Sequence, residues 1–149
     1  MSDLSLFNLM IGSTPGRHRT QTPFIGYKKV RCHNDNENYR FTAIATIEVP
    51  TDRLIVRSRP CYNDPYGATK KCYISDKLRT SEFKVLNIHD MKGNELPFDC
   101  NCFSGHDNSF KYKKGELHQP NKFNPSVSEE CTNGLHFFQT KKEAEEYCL

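Results

Sequence analysis

The 149-residue chain has no tryptophan, only three methionines and no apolar stretch of bilayer length, so no membrane span is expected. Its opening, MSDLSLFNLMIG, lacks the basic start of a secretory signal and carries Asp3, which points to a soluble, non-secreted chain. Also missing are a Gly-rich phosphate loop, a GxSxG nucleophile elbow and an HExxH zinc helix. The sequence marks of phosphate-loop nucleotide hydrolysis, serine hydrolysis and zinc proteolysis are therefore absent. No internal repeat and no low-complexity tract breaks the chain.

Apolar residues make up 36% of the chain and mean hydropathy is −0.76, which is low. Ten phenylalanines and seven tyrosines compensate, because each buries a large area and disordered chains are poor in them. One domain with its own core is the expected size class. The net charge of +3 averages an uneven chain. Residues 1–80 hold 13 Lys and Arg against 7 Asp and Glu, whereas residues 81–149 hold 8 against 11. The basic half could meet phosphate, nucleic acid or an acidic partner. The plainer alternative puts Arg53, Arg57 and Arg59, which alternate with Leu54 and Val56, on the wet face of a half-buried strand. The cysteines (32, 61, 72, 100, 102, 131, 148) are odd in number and without a secretion signal, so free thiols are expected.

Taken in order, residues 1–23 form an arm and loop, with Gly12 to Pro23 rich in Gly, Pro, Thr and Arg. Phe24 to Arg31 and Tyr39 to Val49 alternate as two strands joined by the polar turn around His33 to Asn38, a hairpin signal. Asp52 to Arg59 is a further short strand with Leu54 and Val56 inward. Residues 60–76, PCYNDPYGATKKCYISD, look like an irregular insertion. Glu82 to Met91 and Ser109 to Lys113 are strands, and Pro120 to Glu130 is a loop anchored by Phe123. Residues 24–149 thus form a single compact α+β domain, a curved and mostly antiparallel sheet with a short C-terminal helix.

The densest signal is CTNGLHFFQTKKEAEEY, from Cys131 to Tyr147. A turn ending at Gly134 leads into the apolar run Leu135, His136, Phe137 and Phe138. Thr140 then stands three residues before Glu143, the spacing of a capping box. Ala144, Tyr147 and Cys148 recur at helical spacing as a narrow apolar stripe. With Gly26-Tyr27-Lys28-Lys29, Ile47-Glu48-Val49-Pro50, Lys84-Val85-Leu86-Asn87-Ile88 and Phe110 to Glu116, this stretch resembles an uncharacterised domain family of giant and other large DNA viruses. In that family the domain often stands beside pentapeptide repeats. The resemblance runs from about Phe24 to Tyr147 and implies a viral protein of the host cytoplasm or the virion. Three departures stand out. Lys77-Leu78-Arg79 replaces the family's Lys-Cys-Arg, residues 60–76 are inserted, and no pentapeptide repeats follow.

Three chemistries follow from the residues. Cys61, Cys72, Cys100 and Cys102, with His106, could form a thiolate–imidazole zinc shell in a module contacting nucleic acid. Second, Gly134, the aromatic strand and the short helix are similar to a segment of ADP-ribosyltransferases of the His-Tyr-Glu kind. That resemblance makes Tyr27, His136 and Tyr147 candidates for holding a nucleotide, in an intact or degenerate site. The glutamate such transfer uses would lie on a strand after the helix, and the chain stops at Leu149. Third, Lys111-Tyr112-Lys113-Lys114 interleaves an aromatic with cations, as single-strand binders do. No complete catalytic set emerges and no cofactor is required. The leading expectation is a non-enzymatic domain that contacts a protein partner. In it Cys131, Gly134, His136, Phe137, Phe138, Thr140, Glu143, Ala144 and Tyr147 form a structural motif.

Overall fold

The computed structural model describes residues 10–34, 40–67, 69–96, 100–105, 110–130 and 132–148. The strands in chain order are β1 (Gly16–Arg19), β2 (Phe24–Asn34), β3 (Arg40–Val49), β4 (Leu54–Arg57), β5 (Cys61–Asn63), β6 (Lys70–Cys72), β7 (Leu78–Thr80), β8 (Phe83–Asp90), β9 (Cys100–Ser104), β10 (Lys111–Tyr112), β11 (Leu117–His118) and β12 (Leu135–Phe137). A C-terminal helix spans Lys141–Glu146. The strands form a six-stranded sheet, β10-β9-β2-β3-β8-β11, a four-stranded sheet, β1-β4-β7-β12, and the separate hairpin β5-β6. Every pairing between these strands is antiparallel. The expected α+β domain is the one observed, with the single curved sheet divided into two.

Alternation explains the layering. In β2, Phe24, Gly26, Lys28, Val30 and Cys32 are buried while their neighbours are not. In β3, Ala43, Ala45 and Ile47 enter the core between the sheets, while Ile44 faces the opposite way. Ile44 is covered there by Phe138 and Ala144 of the C-terminal unit, which makes a second, smaller apolar cluster. Adjacent residues of a strand point to opposite faces, so Phe137 fills the inter-sheet core and Phe138 the helix-side cluster. Phe138 also continues β12 into the large sheet through paired backbone bonds with Tyr27, at 2.7 and 2.8 Å. Gly26 permits this approach, since a Cβ there would come within 2.4 Å of Phe137 Cδ2.

The helix begins as its sequence predicts. The Thr140 hydroxyl accepts from Glu143 N at 3.2 Å, and Glu143 Oε1 accepts from Thr140 N at 3.1 Å, a complete capping box. Lys29 closes the other end, its Nζ donating to the carbonyls of Glu145 and Tyr147 at 3.0 Å each. The backbone turns extended at Tyr147, so Ala144 is buried and Cys148 leaves the apolar stripe for solvent. Thr140→Ala is expected to cost about 1 kcal/mol, and chemical denaturation that finds equal stability would reject the cap.

Four local expectations change. The segment from Gly12 to Pro23 carries β1, whose four residues pair in register with β4. Residues 60–76 contain an ordered hairpin in place of an irregular excursion. In β4 it is Ile55 that joins the inter-sheet core, not Leu54 and Val56. Val56 is buried as well, on the reverse face, in one cross-strand row with Arg17, Arg79 and His136. Arg57 is 3% exposed and does not lie on a wet face. Its guanidinium donates to the carbonyls of Ile11 and Ser75.

Candidate functional site

The cysteines expected as free thiols are largely paired. Cys32 and Cys102 stand directly opposite on β2 and β9, and Cys61 and Cys72 directly opposite on β5 and β6, and each pair forms a disulfide. Cross-strand partners lie close enough for this bond, and a sequence gives no hint of which cysteines a register will oppose. The zinc candidates are thereby divided. Cys61 and Cys72 bond each other in the hairpin, Cys102 bonds Cys32 in the large sheet, and Cys100 lies on β9. His106 and Cys131 lie outside the described residues. Among the described residues no cluster of His, Cys, Asp and Glu side chains has the makings of a metal site.

Much of the basic half serves the fold. Arg17 donates to the Pro125 carbonyl, Arg19 pairs with Asp52, Arg53 with Glu82, and Lys29 and Arg57 bond backbone carbonyls. Arg31, Arg59, Lys70 and Lys71 remain exposed.

His136 and Tyr147 do come together. They line a cleft of about 550 Å³ with Lys28, Lys77, Phe110 and Tyr112. Its floor follows from two registers. β12 places His136 beside Arg79 of β7, and the alternation of β2 points Lys28 inward beneath it. Lys28 Nζ donates to the His136 carbonyl at 2.8 Å and lies 5.7 Å from the Tyr112 ring centre. Across the cleft, Lys77 Nζ stands 4.7 Å above the Tyr147 ring. Among the described residues no carboxylate lines the cleft. Burial, with the Lys77 charge adding to it, lowers the Lys28 amine to about 7. Burial, reinforced by Lys28, Lys77 and Arg79, lowers the His136 imidazole to about 3, so it is neutral at physiological pH. Its Nε2 is buried without a hydrogen-bond partner among the described residues. Tyr27, the third nucleotide candidate, packs instead in the helix-side cluster with Tyr147.

Sequence reasoning found His136 and Tyr147 through the motif. It missed the roles of Lys28 and Lys77, which only the fold brings to one place. Elsewhere the β5-β6 hairpin presents Tyr62, Tyr66, Tyr73 and Ile74, exposed by 52, 98, 46 and 46%. Tyr73 is tied back through its hydroxyl to Glu130.

A two-sheet antiparallel domain with a capped C-terminal helix and a cationic, aromatic cleft is the class these features define. The chain belongs to the Family of unknown function (DUF5758), which matches residues 15–144. It is 31% identical over 136 residues to Uncharacterized protein L223 of Acanthamoeba polyphaga mimivirus, covering 81% of each chain, and a large-DNA-virus family is thereby supported. No solved structure matches the chain significantly. Among the described residues no helix is long and apolar enough to cross a membrane.

Proposed function

We propose that this viral protein is a non-enzymatic recognition domain and that it grips a protein partner with the β5-β6 hairpin. The observation that supports this reading is a cluster of three tyrosines and an isoleucine held in water on a disulfide-stapled hairpin. Exposed aromatic clusters of this kind mark contact surfaces. Tyrosine contributes large contact area for few rotatable bonds, and a stapled hairpin loses little further freedom on binding. The Tyr62 and Tyr73 rings lie 6.4 Å apart, and Lys71 pairs with Asp64 at 3.3 Å across the hairpin. With Arg59 and Lys70 exposed beside them, the surface suits a partner with apolar pockets and an acidic rim. Two disulfides favour the virion over the reducing cytoplasm as its place of work.

The test is a photo-crosslinking residue at Tyr66 in virus-infected cells. One discrete protein adduct is expected, and it should vanish when Tyr62 and Tyr73 are both alanine. The same adduct from a crosslinker at Lys92, on the turn after β8, would reject the hairpin as the contact, as would an adduct that survives the double substitution.

A further inference from the structure

We propose that the Cys61–Cys72 disulfide is a site of reversible reduction by a small thiol of the glutathione class, and that its opening releases the partner held by the β5-β6 hairpin. The release step rests on the hairpin being the contact; the reduction step does not.

The two disulfides stand in opposite surroundings. Cys32 and Cys102 are 1 and 2% exposed and join β2 to β9 within the core. Cys61 and Cys72 are exposed, as is every residue of the two strands that carry them. Exchange begins with attack of a thiolate on a disulfide sulfur, so access decides which bond a dissolved thiol reaches. Of the two, the hairpin's bond offers that access. The register of the hairpin also keeps the bond clear of the contact surface. Cys61 pairs with Cys72 and Tyr62 with Lys71, and successive residues of a strand point to opposite sides. The disulfide is therefore on one side of the hairpin and Tyr62 on the other, where its ring lies 6.4 Å from that of Tyr73. A partner seated on the tyrosines leaves the sulfurs open to solvent, and a thiol can act on the bound state.

What the bond holds is confined to the hairpin. β5 and β6 are three residues each and form a sheet of their own, paired with neither larger sheet. A two-stranded hairpin by itself is marginal in water. The base of this one is fastened to the domain. Ser75 N donates to the Ser58 carbonyl at 2.9 Å, and the Glu130 carboxylate accepts from the Tyr73 and Ser75 hydroxyls. Beyond the base, opening the staple leaves the short ladder, the Lys71–Asp64 pair and the backbone bonds of Asp64 in the turn. The cysteines are 11 residues apart, and cross-linking a loop of that length shifts its open–closed balance by about a hundredfold. Without it the hairpin should be open much of the time while both larger sheets persist. Apparent affinity for a partner then falls with the fraction of hairpin that is closed.

The exchange balances in two steps. A small thiolate attacks one sulfur of the pair, the Cys61–Cys72 bond breaks, and the other cysteine leaves as a thiolate that takes a proton from water. A second small thiolate attacks the mixed disulfide and frees the first cysteine, which is protonated in turn. Two electrons pass from the two small thiols, which leave joined as their own disulfide, and that oxidised form runs the sequence backward. A chain that grips its partner in an oxidising setting therefore lets go in a reducing one, with its core bond intact.

The test equilibrates the full chain in glutathione buffers graded from oxidising to reducing, traps thiols with iodoacetamide and maps them by peptide mass spectrometry. A brief trypsin digest of the same samples reads the order of the hairpin at Lys70 and Lys71. Cys61 and Cys72 are expected to alkylate together at a poise where Cys32 and Cys102 stay protected. Trypsin should then cut after Lys70 and Lys71 at least about tenfold faster, and oxidised glutathione should restore resistance. Labelling of all four cysteines at one poise, or no faster cutting after reduction, overturns the proposal whatever the partner is. The double variant Cys61→Ser, Cys72→Ser should be cut at the fast rate in every buffer, and a redox response that persists in it overturns the assignment to this bond. The Tyr66 crosslinker reads the release step, its adduct falling at least about tenfold on reduction and returning on oxidation. An adduct indifferent to reduction overturns release. An adduct missing even in oxidising buffer rejects the hairpin as the contact and release with it, while alkylation and digestion still decide the reduction step.

Discussion

Phe137→Ala is expected to destabilise the domain by about 3–5 kcal/mol, the cost of removing a fully buried phenylalanine together with the cavity it leaves. The ring is completely buried and packs edge-on to Phe24 and Phe83, with ring centres 6.3 and 6.4 Å away. Those two side chains come from β2 and β8 of the large sheet, whereas Phe137 belongs to the last strand of the small one. Truncation therefore removes contact between the sheets as well as area. The backbone of Gly26 cannot follow into the gap without breaking the Tyr27–Phe138 bonds, so the cavity should collapse poorly. A double-substitution cycle separates packing from mere apolarity. Gly26→Ala places a methyl inside the Phe137 ring, so it should be strongly destabilising alone and milder when Phe137 is already alanine. Chemical denaturation of the four proteins decides the matter. An unchanged midpoint for Phe137→Ala, or strict additivity with Gly26→Ala, would remove Phe137 from its place as the joint between the sheets.

What the chain discloses by itself follows the range of the interactions involved. The Thr140–Glu143 box is legible because both partners lie within one helical turn, and β2 and β3 are legible because each alternates over ten or more residues. β1, β7 and β9 are three to five residues long and exist through partners far away in sequence, so alternation alone could not announce them. The phase of β4 is hidden in the sequence for a related reason. A strand with one wet face is read from its polar positions, but both faces of β4 are covered, and its arginine is buried by carbonyls supplied from other segments. The disulfides and the cleft share this origin. Cys32 meets Cys102, and Lys28 meets His136, because of register, and register is a property of paired strands and not of either one. The C-terminal motif was visible as a unit, while the lysines that give it chemical meaning were hidden among basic residues that otherwise hold the fold.

Arg79→Met should be almost as damaging as the loss of Phe137, at about 3 kcal/mol, although methionine matches much of the arginine's length and adds no charge. The reason lies in what the guanidinium feeds. Arg79 is 1% exposed, and its two terminal nitrogens donate to the carbonyls of Asn124, Ser126, Glu129 and Asn133 and to the Ser58 hydroxyl. Four of these acceptors belong to the loop before β12, which has little regular structure and covers the outer face of the small sheet. Burial pushes the guanidinium downward from its usual range, and the nearby Glu129 carboxylate works against that shift. The side chain stays charged because the ordinary value is so high. A thioether removes the donor to the Asn124 and Ser126 carbonyls and leaves those of Glu129 and Asn133 with the Ser58 hydroxyl and Asn124 N alone, so the loop should loosen before the sheets do. Limited proteolysis should then cut between Lys122 and Glu130 under conditions in which the parent chain resists. Arg79→Lys should rescue little, since a single ammonium cannot reach acceptors spread around a planar fork. Because Asn133 adjoins the turn that carries Gly134 into β12, the same variant should also disturb the cleft around His136, whose ring is the neighbour of Arg79 across the strands. A protease-resistant Arg79→Met protein with parental stability would mean that the loop holds itself, and the arginine would then be a passenger beneath it.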